Sequence, residues 1–347
     1  MENTTFFTIK KRTQETLDTV SYLLEPVLDH QFRYRAGQFL TFIFRHKNGE
    51  LRRSYSLFTD PDFDKLPGIL VKRITNGEIS RYLHDNWKEG DMIEALPAMG
   101  RFTLPERRDR KPRDIFLFAA GSGISPLFAI LKEVLLKEPQ DKVHLFYSNH
   151  SIADTIFFQE LEDLKAKYPH NLCVDYFFSD AKRLEKARLS RILIEQMVPE
   201  RIQNDKKDAL FFACGPYAYM QMIEIVLVTM GFDKTAVRKE TFVIEKPAQP
   251  HYEPEDKSPR TVSIRFANTQ FDLVVQYPET ILETALKQGI PIPYSCKGGR
   301  CSSCFAKCIE GKVEMSYNEV LTEKDEKQGY VLTCTGHPVS KKVVLQF

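Results

Sequence analysis

Through the first hundred residues the hydrophobic pattern is short and repeatedly interrupted. Apolar runs at Phe6–Lys11, Thr19–Leu24, Gln38–Arg45, Arg53–Phe58, Gly68–Ile74 and Asp91–Ala95 are separated by polar and turn-forming residues. Strand-length segments at this spacing predict an antiparallel barrel or sandwich, broken by one helix over Ile79–Trp87. At Asp114 the rhythm changes. Ile115-Phe116-Leu117-Phe118-Ala119 is apolar without alternation, the pattern of a strand covered on both faces in a parallel sheet. A helix over Pro126–Leu136 follows. Strands at Lys142–Tyr147, Cys173–Phe178 and Asp208–Ala213 then alternate with helices at Phe157–Tyr168, Ser190–Met197 and Tyr217–Met230. Such alternation predicts a doubly wound α/β domain with a parallel sheet. Farther on, strands at Thr261–Phe266 and Gln270–Val275, a helix at Thr280–Gln288 and closing strands at Lys312–Met315 and Lys342–Phe347 predict a small α+β unit.

The breaks in this pattern set the expected domains: 1–108, 112–245, a proline-rich linker at 246–259, and 260–347. The polar, basic stretch Glu106–Arg113 marks the first boundary. Pro247, Pro250, Pro254 and Pro259, set among charged residues, mark an extended, semi-rigid spacer at the second. A chain of 347 residues is long enough for two or three cores. The formal charge of +2 gives no electrostatic case for nucleic acid or an anionic membrane. The first residues lack a basic, then apolar, leader, and no apolar window reaches the length of a membrane span. A cytoplasmic location without membrane insertion is the expectation.

Composition adds one strong signal. Of seven cysteines, Cys173 and Cys214 stand apart and five fall between Cys296 and Cys334. Cys296-Lys-Gly-Gly-Arg-Cys301-Ser-Ser-Cys304, with Cys334 returning from a distant segment, is the C-x4-C-x2-C…C spacing of plant-type [2Fe–2S] sites. Two irons and two sulfides need four thiolates on a loop that wraps closely, and Gly298 and Gly299 let backbone N–H groups approach the sulfurs. A four-thiolate zinc site would use the same ligands, although its usual pattern is two close pairs. Cys308 reads as a packed thiol. Residues from about Thr261 to Phe347 resemble a whole plant-type ferredoxin domain, which implies a β-grasp fold and the ligands Cys296, Cys301, Cys304 and Cys334. Ser302 departs from the glycine that many members carry there.

Upstream, Arg53-Ser54-Tyr55-Ser56 matches the R-x-Y-S signature of the ferredoxin–NADP reductase superfamily. The resemblance implies that Arg53 pairs with flavin phosphate, Tyr55 packs on the isoalloxazine, and Ser56 lies near N5, with Ser54 in the same segment. These roles suit a fork, a flat face and a small donor. Val71-Lys72-Arg73 resembles the strand that passes under the flavin. Gly77-Glu78-Ile79-Ser80 resembles the family's G-x-x-S turn, at a helix start whose free N–H groups can receive a pyrophosphate, and Gly100-Arg101-Phe102 closes the barrel.

Gly121-Ser122-Gly123-Ile124-Ser125-Pro126 follows the buried strand and opens a helix, with Pro126 expected at the first helical position. It resembles the superfamily's G-x-G-x-x-P nucleotide turn. Cys214-Gly215-Pro216 resembles its C-G-P motif beside the nicotinamide, and Glu240-Thr241-Phe242 its E-x-F ending. The resemblance puts Phe242 near the flavin as a guard of the nicotinamide pocket and Glu240 in proton or hydride positioning. Ser148-Asn149-His150 stands where NADPH-selective members often have an arginine after the second strand. Arg183, Lys186 and Arg191 could compensate or could form a solvated face, so NADPH and NADH both stay open.

The order flavin, nicotinamide, ferredoxin spans nearly the whole chain. It resembles reductases of multicomponent oxygenases, those of the phenylacetyl-CoA oxygenase reductase type foremost. That implies an NAD(P)H:acceptor oxidoreductase with FAD and [2Fe–2S], feeding an iron-containing oxygenase or other redox protein one electron at a time. FMN, which some reductases with this domain order use, is the alternative flavin. A self-sufficient oxidase or quinone reductase, and a zinc-stabilised scaffold, are the alternative functions.

Overall fold

The computed structural model describes residues 4–27, 32–46, 49–106, 111–181, 187–242, 252–266 and 268–347. Pro247, Pro250, Arg183 and Lys186 lie outside the described residues.

The N-terminal unit is built from β1 (Thr5–Thr16), β2 (Thr19–Pro26), β3 (Phe39–His46), β4 (Gly49–Ser56), β5 (Gly68–Lys72), α1 (Glu78–Asn86) and β6 (Met92–Ala95). Its strands form one antiparallel sheet in the order β4-β3-β6-β1-β2-β5, and a bridge between Leu57 and Ile69 links its two ends. Alternation puts Phe7 and Ile9, and Val20, Tyr22 and Leu24, into the core. β1 runs on past the expected Lys11. Arg12–Thr16 carry no apolar alternation, but pairing with Tyr22–Thr19 across the hairpin carries the strand on. α1 buries Ile79 and Leu83, and its last turn is held by the Tyr22 hydroxyl, which donates to the Leu83 carbonyl at 2.8 Å.

The second unit contains β7 (Asp114–Ala120), α2 (Ile124–Lys137), β8 (Lys142–Asn149), α3 (Phe158–Lys167), β9 (Leu172–Phe178), α4 (Arg191–Arg201), β10 (Leu210–Cys214), α5 (Tyr217–Thr229) and β11 (Val237–Glu240). All five strands are parallel, in the order β11-β10-β7-β8-β9. Phe116, Phe118, Phe146 and Phe211 are completely buried on one face of the sheet, stacked across neighbouring strands at 5.0–5.1 Å for Phe118–Phe146 and Phe116–Phe211. The expectation for Pro126 is corrected here. A 3-10 turn over Gly121–Gly123 runs directly into α2, so Pro126 is the third residue of that helix. Proline is tolerated there because first-turn N–H groups have no carbonyl one turn back to bond.

The third unit contains β12 (Arg260–Phe266), β13 (Thr269–Val275), α6 (Ile281–Lys287), β14 (Phe305–Glu310), β15 (Val313–Met315), α7 (Glu323–Lys327), β16 (Tyr330–Leu332), β17 (Gly336–Pro338) and β18 (Lys342–Gln346). Its main sheet has the order β13-β12-β18-β14-β16, with β12 and β18 parallel, and β15 pairs with β17 separately. α6 starts on a capping box in which Thr280 and Glu283 satisfy each other's backbone N–H. Part of the expected spacer belongs to this unit. The Tyr252 ring stacks on His337 at 4.8 Å, and its hydroxyl donates to Glu314 at 3.1 Å.

Barrel-like antiparallel sheet, parallel α/β sheet and small α+β unit are thus the three parts of the fold, as the patterning and the resemblance implied.

Candidate active site and cluster loop

The carboxyl ends of the parallel strands converge where the sheet order reverses between β7 and β10, the usual ligand position in open α/β sheets. The two turns there are in contact. A Cβ on Gly123 would lie 2.1 Å from the Cys214 carbonyl oxygen, so glycine is required for the turns to pack. Gly121 has open space where its side chain would be, with the Lys72 amine as nearest neighbour at 3.9 Å. One glycine therefore closes the backbone and the other leaves room beside it.

The N-terminal unit reaches this point through β4. The Ser56 hydroxyl donates to the Glu240 carboxylate at 2.6 Å, and the Ser56 carbonyl accepts from the Ser125 hydroxyl at 2.8 Å. Cys214 pairs in register with Glu240 across β10 and β11. Ser56, Ser125, Cys214 and Glu240 are thus brought together from four distant segments. Withdrawal from water pushes the Glu240 carboxyl up to about 7, an effect only partly offset by the Ser56 hydrogen bond. Burial, and then the neighbouring Glu240 charge, push the Cys214 thiol well above its ordinary range. A thiol so placed is a poor nucleophile.

Other candidates divide more finely. Tyr55 packs 6.0 Å from Phe42, ring to ring, and burial pushes its phenol up. Arg53 is exposed beside it and donates to the Arg52 carbonyl at 2.7 Å. Val71 is wholly buried and pairs with Val20 across β2 and β5. Lys72 pairs with Asp18 at 3.2 Å and Arg73 with Asp85 at 3.5 Å. α1 begins at Gly77 with no side-chain cap, so its first N–H groups are available to an anion, while the Ser80 hydroxyl bonds the Gly77 carbonyl and the Ile74 N–H. That end suits a pyrophosphate. Gly215 packs against Ala120 and Tyr219, and Pro216 leads into α5. Ser122 lies in the 3-10 turn between the two glycines.

Ser148 and Asn149 end β8 beside the Tyr219 and Tyr147 hydroxyls, yet their buried polar atoms have no hydrogen bond of good geometry. Orphaned buried polar groups at a strand's carboxyl end suit a polar ligand. His150 is instead engaged by Ser179 at 2.9 Å and Arg191 by Glu195 at 2.7 Å. Phe242 is 41% exposed at the rim of a cleft of about 1130 Å³ that also takes in Ser56, Glu240 and Cys296.

The cysteine loop borders the same cleft. Its four thiols are free and lie close enough to perturb one another, Cys296 with Cys301 and Cys334, and Cys334 with Cys304. Backbone N–H groups of Gly298 and Arg300 point at the Cys296 sulfur at 3.4 Å, and that of Gly299 at the Cys334 sulfur at 3.2 Å. Four converging thiols ringed by aimed amides fit a [2Fe–2S] cluster. Gly299 has φ +73° and no room for a Cβ, which would meet the Tyr317 carbonyl at 2.7 Å. Ser302, the departure noted in the sequence, has φ +55°, in the left-handed region that glycine fills freely.

Sequence reasoning missed the contacts between β4 and this loop. The Ser54 hydroxyl hydrogen-bonds that of Ser295, next to Cys296, at 2.8 Å. Arg52 is buried and stacks on the Tyr294 ring at 3.8 Å. The period of two along a strand was the available signal, because Arg52 and Arg53 must face opposite ways.

The fold and site define an oxidoreductase that joins a flavin barrel and a nucleotide sheet to an iron–sulfur unit. Family models agree, with an oxidoreductase FAD-binding domain over residues 7–104, an oxidoreductase NAD-binding domain over 117–225 and a 2Fe-2S iron-sulfur cluster binding domain over 266–339. The chain is 34% identical to the ferredoxin reductase component of 3-ketosteroid-9-alpha-monooxygenase from Rhodococcus rhodochrous, over 98% of this chain and 96% of that protein. It is 32% identical to one of the subunits of 1,2-phenylacetyl-CoA epoxidase from Escherichia coli K12, covering 99% of this chain and 98% of that one. Phthalate dioxygenase reductase shares the fold, with a TM-score of 0.59 at 24% identity over 99% of this chain and 97% of that one. A type IV self-sufficient cytochrome P450 monooxygenase also matches in fold, at TM-score 0.74 and 18% identity over 99% of this chain, which spans only 41% of that longer protein. The chain belongs to the family of these reductase components: it is a ferredoxin-reductase-type oxidoreductase that uses NAD(P)H, FAD and a [2Fe–2S] cluster. Among the described residues, no helix is long and apolar enough to cross a membrane.

Proposed function

We propose that this chain feeds electrons singly to the iron-containing oxygenase or hydroxylase component of a multicomponent system in the cytoplasm. The observation that carries the reading is the double engagement of β4, where Ser56 bonds Glu240 of the nucleotide unit and Ser54 bonds Ser295 of the cluster loop. One strand therefore joins the entry side to the exit side. The flavin supplies the step between a two-electron hydride donor and a one-electron cluster.

Within this reading Arg53 holds flavin phosphate, Tyr55 packs against the ring, and Ser54 and Ser56 line the strand beside it. Val71, Lys72 and Arg73 form the strand beneath, and Gly77, Ile79 and Ser80 present the α1 N-terminus to the pyrophosphate. Gly121, Ser122, Gly123, Ser125 and Pro126 receive the nucleotide, with Ser148 and Asn149 farther along it. Cys214, Gly215 and Pro216 line the nicotinamide side. Glu240, through Ser56, orients the reacting edge, and Phe242 covers the pocket. Cys296, Cys301, Cys304 and Cys334 hold the cluster. The units run 1–108, 112–245 and 260–347, with Tyr252 of the 246–259 stretch packed onto the last of them. Clustered thiols kept for metal suit a reducing compartment.

Co-purification from the host, followed by an assay of the associated proteins for NAD(P)H-dependent oxygenation, tests the partner. Oxygenation that requires this chain supports the reading. Rapid turnover with a soluble quinone, but with no oxygenase, refutes it. Extracting the flavin and testing it for AMP distinguishes FAD from FMN.

A further inference from the structure

Among the described residues, contacts at three places carry the iron–sulfur unit against the flavin barrel. Arg52 stacks on Tyr294 and Ser54 bonds Ser295, both just before Cys296. The third contact lies elsewhere, at Arg101. Its guanidinium hydrogen-bonds and ion-pairs with Asp325, and lies 5.6 Å from the Phe305 ring and 5.1 Å from the Tyr330 ring. Phe305 directly follows the ligand Cys304. Tyr330 opens β16, which leads into Cys334, and β14 and β16 pair with each other in register. Arg101 therefore grips the two strands that deliver the buried ligands.

The acid that receives Arg101 is itself fixed. Asp325 caps α7, its other oxygen accepting from the Thr322 N–H at 2.9 Å, and only a tenth of its side chain is exposed. Arg238 of the nucleotide unit also feels the Asp325 charge. One delocalised cation reaching two aromatic rings and one oxygen of a carboxylate suits the broad guanidinium of arginine better than the compact ammonium of lysine.

We propose that Arg101 is a positioning residue for electron transfer, acting through Asp325, Phe305 and Tyr330 to hold the cluster loop against β4. The inference rests on the reductase reading above. Losing one partly exposed ion pair and two cation–π contacts lowers the docked-to-undocked ratio about tenfold.

The test uses the full-length holoprotein of Arg101→Ala, Arg101→Lys and Asp325→Asn. Anaerobic stopped-flow with NAD(P)H separates flavin bleaching from cluster reduction. Hydrogen–deuterium exchange of the resting protein reads docking directly, at residues 52–56 and 294–296. Arg101→Ala should leave the flavin phase unchanged, speed exchange in both segments about tenfold and slow the cluster phase by up to the same factor, with Arg101→Lys intermediate. A general loss of structure would instead release flavin and slow both phases, which would contradict the positioning role. Should Arg101→Ala fail to fold, Asp325→Asn, which keeps an oxygen for the Thr322 cap, carries the same expectation. Exchange within twofold of wild type in both segments overturns the proposal while leaving the reductase reading intact. A wild type whose cluster NAD(P)H cannot reduce overturns both.

Discussion

Glu240 gives the most quantitative handle on the site. Its carboxyl is pushed up to about 7, from an ordinary 4.5, chiefly because water is withdrawn from it. The folded state therefore holds the proton more tightly than the unfolded chain. Below pH 4.5 both states are protonated and the group costs nothing. As pH rises from 4.5 to 7 the unfolded chain ionises first, and stability falls. Above 7 the full cost is present. At 1.36 kcal/mol per pKa unit, a rise of about 2.5 units corresponds to about 3 kcal/mol, an upper figure because part of the side chain meets solvent. Glu240→Gln removes the titration and keeps an acceptor for Ser56. In urea unfolding across pH 5 to 8.5, the variant should gain on wild type as pH rises, by about 3 kcal/mol at most, with the midpoint of the gain near pH 6. Flavin reduction by NAD(P)H should likewise show an inflection near pH 7 that the variant lacks. A stability difference independent of pH would show that Glu240 is ordinary, and the argument from Ser56 and Cys214 would fall with it.

Cys301→Ser should abolish the cluster's visible absorption and reduce delivery to any protein acceptor to background, yet leave flavin bleaching by NAD(P)H largely intact; loss of both in a folded protein would contradict the division of labour. Ser302→Gly relieves a left-handed residue, so stability should rise by up to about 1 kcal/mol, whereas Ser302→Val should cost about 2 kcal/mol and shed cluster on heating, both read by thermal melts at the cluster absorbance. Gly123→Ala forces a methyl against the Cys214 carbonyl; unfolding should show a loss of about 2 kcal/mol, with weaker nucleotide binding and an unchanged flavin content.

How much of this was legible beforehand depends on the range of the interactions. The buried strand at Ile115–Ala119 announced itself, because burial on both faces leaves a continuous apolar run. The cluster ligands were legible because chemistry fixes their spacing. β16 and β17 were not, since each is three residues long and, unlike the Val-Glu-Met of β15, shows no alternation of apolar and polar positions. Tyr252 was read as part of a spacer because proline and charge dominate its neighbourhood, and nothing local announces the His337 ring that receives it. Ser56 and Glu240 were named from their motifs, but their 2.6 Å contact spans 184 residues. Arg52 and Arg101 show nothing in the sequence of their contacts with the iron–sulfur unit. Their roles depend on a docked domain more than two hundred residues away, and an arginine in solvent looks the same in sequence as one against a tyrosine.

An anaerobic NAD(P)H titration followed jointly by flavin absorbance and electron paramagnetic resonance tests the central claim most directly. Two electrons for FAD and one for the cluster require about 1.5 equivalents of NAD(P)H. The account predicts that flavin bleaching and the paramagnetic signal of the reduced cluster both reach completion at that point. Flavin that bleaches at one equivalent while the cluster stays oxidised would contradict it.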